Sequence, residues 1–271
     1  TPVNVPILTA FDPEENGAFE LGIKSELLDR RVFVDFDVYQ SKWKSIVIPQ
    51  IRTEVVDPRS GNVGTIRTPT AFNVNAGDAT IRGAEFSVNA RITDRVDGSF
   101  GVSYTDANYD KARVDSFKSF PSFSPTGDVS GKQILRTSPW QLAASLGYTA
   151  PLADGKAFFV RGDLSYRDKQ FADATNEAIT PDQTKLNMAI GLQSKQWTIE
   201  LWGRNLTNED SPSAAYRDVF FSNALPDGTF FRSPAGTTPA GNTGRGTFFP
   251  WRYSVSYPTL REFGLTARYK F

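Results

Sequence analysis

The chain has 271 residues, and its 30 Lys and Arg balance 30 Asp and Glu, so the formal net charge is zero. This balance gives no signal for nucleic-acid binding or for a polybasic lipid-binding segment. The sequence contains neither Cys nor His, which excludes disulfides, thiolate chemistry, Ser-His-Asp triads and His-ligated zinc or haem within this chain. We therefore expect no enzyme activity, no cofactor and no metal site.

The first predicted elements form a hairpin. Residues 1–16 are predicted to be loop, and from Gly17 apolar side chains alternate with polar or charged ones. A short turn at 28–31 separates residues 17–27 from a second alternating stretch at 32–39. Alternation with a period of two residues predicts β-strands with one apolar and one charged face, and the short turn joins them as a hairpin.

Seven further strands follow in the same pattern. They are predicted at 84–92, 100–105, 140–149, 158–167, 185–193, 197–204 and 262–271. Short turns at 28–31, 93–97, 151–155 and 194–196 alternate with long connections at 49–78, 111–137, 171–183 and 207–257. Membrane β-barrels of the outer-membrane type alternate short periplasmic turns with longer extracellular loops in this way.

The terminal strand favours a closed membrane barrel over a soluble sheet. Phe263, Leu265, Ala267, Tyr269 and Phe271 share one face of this strand, and the opposite face is polar or charged. Such a strand at the end of a soluble sheet would leave an apolar edge open, whereas barrel closure removes the edge. The fold prediction is all-β, an antiparallel transmembrane β-barrel. A soluble β-sandwich, whose strands also alternate, is the alternative.

The charged faces of the strands are predicted to line a hydrated lumen. The residues assigned to the lumen are Glu20, Lys24, Asp35, Asp37, Glu85, Arg91, Arg161, Asp163, Arg167, Glu200, Arg204, Glu262 and Arg268.

The loop before the terminal strand carries a candidate ligand site. It consists of Phe248, Phe249, Trp251, Arg252 and Tyr253. Aromatic side chains beside an Arg offer stacking area and a charge-assisted donor, as binding surfaces do. The alternative is that some of these residues belong to an aromatic girdle at the membrane interface or pack the loop on itself.

Four segments together resemble the TonB-dependent outer-membrane receptors. The segment WTIELWGRNLTNE at 197–209 resembles the penultimate-strand motif of that family. The segment IRGAEF at 81–86, followed by FGVSYTDANY at 100–109, resembles its mid-barrel pair. The segment FELGIKSEL at 19–27 resembles an earlier strand, and REFGLTARYKF at 261–271 resembles the closing strand with its terminal aromatic residue.

The resemblance implies a barrel of about 22 strands with a plugged lumen, of which residues 1–271 would be the C-terminal portion, without the plug domain and the earlier strands. It implies a Gram-negative outer-membrane location and import of a scarce large ligand, such as a siderophore or an oligosaccharide. Its implied partners are TonB with ExbB and ExbD through the missing plug, outer-membrane lipid, and the barrel-assembly machinery through Phe271. Two alternatives stay open: a passive porin or translocator barrel, and a soluble carbohydrate-binding β-sandwich.

Overall fold

The computed structural model describes residues 11–56, 63–114, 126–217, 220–222, 247–249 and 253–271. Nine strands form one antiparallel sheet, in which they neighbour one another in the order of the chain. Their bounds are β1 Glu15–Leu27, β2 Val32–Val56, β3 Val63–Arg91, β4 Val96–Ala112, β5 Trp140–Pro151, β6 Ala157–Arg167, β9 Gln183–Gln193, β10 Trp197–Arg204 and β15 Glu262–Tyr269. The nine predicted strands are confirmed.

Six short strands lie inside the longer connections, which the sequence predicted to be loops. They are β7 Gln170–Phe171, β8 Ile179–Thr180, β11 Ala214–Arg217, β12 Phe220–Ser222, β13 Thr247–Phe249 and β14 Tyr253–Ser256. They form three two-stranded sheets, β7 with β8, β11 with β14, and β12 with β13. The loop prediction for these segments was wrong, because isolated short pairings leave no periodic pattern long enough to detect.

The ends of the nine-stranded sheet differ, as predicted. Tight connections at 28–31, 92–95, 152–156 and 194–196 share one end, which we call the short-turn rim. The connections from β4 to β5, from β6 to β9 and from β10 to β15 leave and re-enter the sheet at the other end, the long-loop rim. Among the described residues, no helix has the length and apolar character needed to cross a membrane.

The prediction of a loop over 49–78 was wrong. Strand β2 continues to Val56 and β3 already begins at Val63, so the two strands extend together past the rest of the sheet. The backbone ladder between them continues through several irregularities, the first between Trp43 and Ile46, where Ser45 has a positive φ of 55°. Pairing of two long backbones overrides the low strand propensity of this polar, Pro-bearing segment.

The register gives the sheet two chemically different faces. On one face, which we call the apolar face, large side chains lie exposed, including Phe19 (69%) and Leu265 (71%). On the other, the polar face, charged and hydroxyl side chains lie side by side, as in the row that joins Asp37, Glu85 and Ser103. Because side chains alternate along each strand, the register fixes this division across the whole sheet.

The principal buried cluster lies at the long-loop rim, on the side of the polar face. Its members are Ile46, Ala79, Tyr109, Ala112, Val114, Val129 and Ala174. They come from β2, β3, β4 and two of the long connections. The apolar face is therefore not the packed core of this chain, and its exposed side chains need another apolar surrounding.

Candidate functional site

The register places every residue assigned to the lumen by sequence on the polar face. These residues are Glu20, Lys24, Asp35, Asp37, Glu85, Arg91, Arg161, Asp163, Arg167, Glu200, Arg204, Glu262 and Arg268. The pairings bring Asp37 directly opposite Glu85, and Arg204 directly opposite Glu262. That this face lines a lumen stays a prediction.

Ion pairs on the polar face are exposed. The ammonium of Lys24 lies 3.1 Å from the Asp35 carboxylate, and the Arg204 guanidinium lies 3.4 Å from the Glu262 carboxylate. Exposed pairs of this kind contribute about 0–1 kcal/mol each. The charges therefore make the face wettable rather than holding the strands together.

A glycine and an aromatic ring form a close pair at the C-terminal edge of the polar face. Trp202 lies directly opposite Gly264, and a methyl group on Gly264 would overlap the indole ring. The indole N–H donates to the hydroxyl of Thr266 at 3.0 Å, and the Arg204 guanidinium lies 4.5 Å from the ring centroid. Gly264 thus leaves the space in which the indole lies flat on the neighbouring strand.

The same pairing recurs at two other places on the polar face. Tyr39 lies opposite Gly83, and Phe159 lies opposite Gly191. A methyl group on either glycine would overlap the facing aromatic ring. The Tyr39 hydroxyl lies 3.0 Å from the hydroxyl of Thr105. Gly83 belongs to the sequence motif IRGAEF, so part of this motif has a packing reason.

The segment Asn-Leu-Thr-Asn-Glu that follows β10 is a hydrogen-bonded clasp at the long-loop rim. The Asn205 side chain is only 5% exposed. Its amide nitrogen donates to the carbonyls of Glu209 and Thr259, both at 2.9 Å, and its oxygen accepts from the Glu209 N–H at 2.8 Å. Asn205 therefore ties the end of β10 to the segment that leads into β15.

Other residues of the clasp bind β9. The Thr207 hydroxyl donates to the Thr184 carbonyl at 2.7 Å, and the backbone N–H of Asn205 donates to the Asn187 side chain at 2.9 Å. Asn205 and Asn208 have positive φ values of 49° and 55°, a conformation that Asn tolerates better than most residues. These contacts tie β10 to β9 and to the segment that leads into β15, and they give a structural reason for the residues NLTNE in the motif at 197–209.

The Glu209 carboxylate completes the clasp. It accepts backbone N–H bonds from Thr184 at 3.0 Å and from Ser211 at 2.9 Å. These bonds, the one from Thr184 above all, hold the pKa of the Glu209 carboxyl below its usual value. Because the folded pKa is lowered, the stabilisation is present above the unfolded carboxyl pKa and is lost as pH falls through the folded one.

A buried carboxylate joins two of the long connections. Asp173, in the connection between β6 and β9, is 6% exposed and accepts from the backbone N–H of Thr175 at 2.9 Å and from its hydroxyl at 2.6 Å. The Tyr253 hydroxyl, on β14, donates to the other Asp173 oxygen at 2.5 Å. Asp173 therefore joins the last long connection to the one between β6 and β9.

The connection between β4 and β5 joins the same assembly. The backbone N–H of Gln133 donates to the Asn176 side chain at 2.8 Å, and the Asn176 amide donates back to the Gln133 carbonyl at 3.0 Å. The Arg136 guanidinium lies 5.6 Å from the ring centroid of Tyr216 on β11. We call this assembly, formed by residues 126–139, 171–180, 214–216 and 253–256, the loop platform.

The candidate ligand residues are only partly described. Phe248 and Phe249 lie on β13, which pairs with β12. Trp251 and Arg252 lie outside the described residues. Tyr253 belongs to the loop platform, where its hydroxyl contacts Asp173. The sequence reasoning missed Asp173, because a lone carboxylate in a polar loop gives no local signal of burial.

Within the described residues, no group of three or more Asp and Glu side chains has the geometry of a metal site. The family model for the β-barrel of TonB-dependent receptor-like proteins matches residues 2–206, which is most of the chain. The chain belongs to the TonB-dependent receptor β-barrel family.

Solved structures of this family share the fold at low sequence identity. The ferric yersiniabactin uptake receptor FyuA from Yersinia pestis has a TM-score of 0.62 and 13% identity over 95% of this chain. The ferric-catecholate import receptor Fiu from E. coli K12 has a TM-score of 0.58 and 16% identity over 96%. The pyoverdine receptor FpvA from Pseudomonas aeruginosa has a TM-score of 0.57 and 13% identity over 96%.

The receptor chain spans only part of these relatives. It covers 30% of FyuA, 28% of Fiu and 30% of FpvA. A single sheet that overlays part of a larger barrel excludes the β-sandwich alternative, because a sandwich would pack two sheets face to face. The matched family model describes the β-barrel of receptors.

Proposed function

We propose that residues 1–271 are the C-terminal portion of the β-barrel of a TonB-dependent receptor, which imports a scarce large ligand across the bacterial outer membrane. The observation that carries the proposal is the family match over residues 2–206, on a sheet with one apolar and one polar face. The plug domain and the earlier strands would lie elsewhere in the full-length protein, in keeping with coverage of 28–30% of FyuA, Fiu and FpvA.

The dimensions of the apolar face support a membrane position. On β5, Trp140 and Tyr148 lie eight residues apart on this face, and the Trp140 ring packs at a tilt against Tyr104, with 4.8 Å between the ring centroids. At roughly 3.3 Å per residue and a tilt of about 40°, the two aromatic positions are about 20 Å apart along the membrane normal. An apolar band between aromatic girdles has about this height, near 25 Å.

The proposed orientation puts the short-turn rim in the periplasm and the long-loop rim outside the cell. Short periplasmic turns and longer extracellular loops are the rule for such barrels. The loop platform would then meet ligands first, and Phe271 would lie at the periplasmic end, where the barrel-assembly machinery acts.

The proposed ligand class is a ferric siderophore, with an oligosaccharide or a similar nutrient as the alternative. FyuA, Fiu and FpvA are named as receptors for ferric yersiniabactin, ferric catecholates and pyoverdine, which supports the first choice. The proposed energy source is TonB with ExbB and ExbD, acting through the plug.

The test is uptake by cells that express the full-length receptor. We expect growth under iron limitation with a panel of siderophores, and accumulation of radiolabelled iron, to require both the receptor and TonB. Accumulation that continues at the same rate without TonB would identify a passive pore instead. Growth that depends on the receptor with an oligosaccharide as carbon source, and not with any siderophore, would select the other ligand class.

Ligand capture by the last long connection is a second part of the proposal. Trp251→Ala and Arg252→Ala in the full-length receptor should each weaken ligand binding by about 1–2 kcal/mol, the scale of a hot-spot residue. Titration of the purified receptor with its transported ligand measures the effect, and Arg95→Ala at the short-turn rim is the control. Unchanged affinity in both variants would assign these residues to the aromatic girdle.

A further inference from the structure

The outward side of β2, β3 and β4 changes from apolar to charged near the long-loop rim. Tyr104 and Trp140, whose rings pack against each other on the apolar face, mark the border. Two residues further along β4, the register aligns Asp106 with Arg82 and Gln40 in one row on the same side of the sheet. The charged surface beyond the border, which we call the outer patch, consists of Lys42, Lys44, Thr80, Arg82, Asp106 and Asp110.

The charges of the outer patch are sorted by strand. Strand β2 contributes a basic column, Lys42 and Lys44, and β4 contributes an acidic column, Asp106 and Asp110. All four side chains are exposed. Because β3 lies between the columns, they are two strand spacings apart, about 9–10 Å. None of the four forms a salt bridge with another described residue.

The residues of β3 between the columns do not join them. The Arg82 guanidinium donates from Nε to the Gln40 side chain at 2.9 Å, and the Thr80 hydroxyl donates to the Asp110 carboxylate at 2.7 Å. Each bond is therefore made to one neighbouring strand only, and no bond connects a lysine of β2 to a carboxylate of β4 among the described residues. The long lysine side chains can reach a second surface.

Positive and negative charges balance in and around the outer patch. Glu15 on β1 lies directly opposite Lys44, and Lys111 on β4 lies directly opposite Asp78. With these neighbours, the surface has as many carboxylates as cations. A lipid phosphate is best held by an excess of cations, whereas a surface that carries both signs is complementary to another surface that carries both signs.

A second copy of the receptor has such a surface in the required arrangement. Two copies that cross one membrane in the same direction can be related by a two-fold axis parallel to the membrane normal. This axis keeps every residue at its height and exchanges left and right. With the axis over β3, the basic column of each copy therefore faces the acidic column of the other, and both contacts form at once.

We infer that the outer patch is one half of a two-fold interface between two copies of the full-length receptor. Lys42 and Lys44 of each copy pair with Asp106 and Asp110 of the other, just outside the lipid. A single exposed ion pair contributes little, but two-fold symmetry forms every pair twice and aligns the apolar faces below. The inference goes beyond the proposed function and rests on it for the position of the sheet in a membrane.

The test is energy transfer between donor-labelled and acceptor-labelled copies of the full-length receptor in phosphatidylcholine vesicles. Transfer in the wild type should rise with the ratio of receptor to lipid as a dimer forms. Lys42→Glu/Lys44→Glu should weaken association by about tenfold or more, because acidic columns then face each other. Asp106→Lys/Asp110→Lys should have the same effect, because basic columns then face each other.

A mixture of the two variants separates this interface from a general effect of charge. In a mixed pair, the reversed columns face each other with opposite signs, and so do the two native columns. Transfer from a donor-labelled Lys42→Glu/Lys44→Glu copy to an acceptor-labelled Asp106→Lys/Asp110→Lys copy should therefore return to the level of the wild type.

The matched control is Arg95→Glu/Lys195→Glu, which makes the same change of charge at the short-turn rim and should leave transfer unchanged. Heat-modifiable migration in gels confirms that each barrel has folded. If the glutamate variant of β2 fails to fold, Lys42→Gln/Lys44→Gln must show the weaker association.

A wild type that stays monomeric, or a mixed pair that associates no better than either variant alone, would overturn the inference. Transfer that requires the addition of a phosphorylated glycolipid to the vesicles would also overturn it, since the outer patch would then bind lipid headgroups. The uptake assay tests the proposed function separately, because a monomeric receptor that still imports its ligand with TonB would contradict the interface alone.

Discussion

Single residues on the polar face decide how closely neighbouring strands and rings approach. The indole of Trp202 occupies the space that a side chain at position 264 would fill. The charged residues around it are solvated and contribute little to stability. At the residue scale, the glycines opposite aromatic rings are therefore more sensitive than the charges.

Gly264→Ala tests this packing. We expect a loss of about 1–3 kcal/mol in the free energy of unfolding, because the added methyl group forces the indole from its place. Gly17→Ala is the control, since a methyl group there meets no atom within 4 Å. Unfolding of the full-length barrel by urea in lipid vesicles measures both, and equal stability of the two variants would contradict the packing argument.

Asn205→Ala tests the clasp. The substitution removes a buried side chain that bonds to Glu209 and Thr259, and the groups left without partners should cost about 2–3 kcal/mol. Asn89→Ala, an exposed Asn of the polar face without such bonds, should change stability by less than about 0.5 kcal/mol. The same unfolding assay compares them, and a neutral Asn205→Ala would show that the clasp is dispensable.

At the scale of the element, each strand must present one face to lipid and the other to water. Strand β10 shows the requirement clearly, because Ile199 and Leu201 lie on the apolar face while Thr198 and Glu200 lie on the polar face. Leu201 is 54% exposed and pairs with apolar residues on both neighbouring strands.

Leu201→Arg and Thr198→Arg compare the two faces of β10. An Arg near the middle of the bilayer should lower the free energy of unfolding by about 2–4 kcal/mol, whereas an Arg on the polar face should cost much less. Vesicle-based unfolding of the full-length barrel measures both variants. Equal tolerance of the two substitutions would defeat the assignment of faces.

At the scale of the whole molecule, the sheet has two open edges. Strands β1 and β15 stand at opposite ends of the strand order and do not pair with each other. An open sheet with exposed apolar side chains would associate through its edges, whereas a barrel completed by further strands has none. The partial coverage of FyuA, Fiu and FpvA supports completion by the rest of the protein.

Deletion of Phe271 tests assembly of the whole barrel. We expect less receptor in the outer membrane, because the terminal aromatic residue is the proposed signal for the barrel-assembly machinery. Phe271→Tyr keeps an aromatic ring and should restore the level. Immunoblots of outer-membrane fractions, with and without heating, measure assembled barrel, and a normal level after the deletion would count against this role.

The sequence by itself determined that nine long strands exist, which face of each is apolar, and the family. Alternation is a local property, so a stretch such as Trp197–Arg204 shows both faces of its strand without any knowledge of its neighbours. The tight turns are equally local, and together they predicted which end of the sheet carries the long connections. The four segments at 19–27, 81–109, 197–209 and 261–271 carried the resemblance together, because the residues within each are adjacent in the chain.

Only the tertiary structure decided where the long connections go. The bond between Tyr253 and Asp173 joins residues 80 positions apart, and the bond from Asn205 to Thr259 joins residues 54 positions apart. No local pattern specifies such partners, because each depends on the register of several strands at once. The strand structure of 49–56 in β2 and of 63–78 in β3 has the same cause. Pairing with a neighbouring backbone, and not the composition of either segment, makes these residues strands.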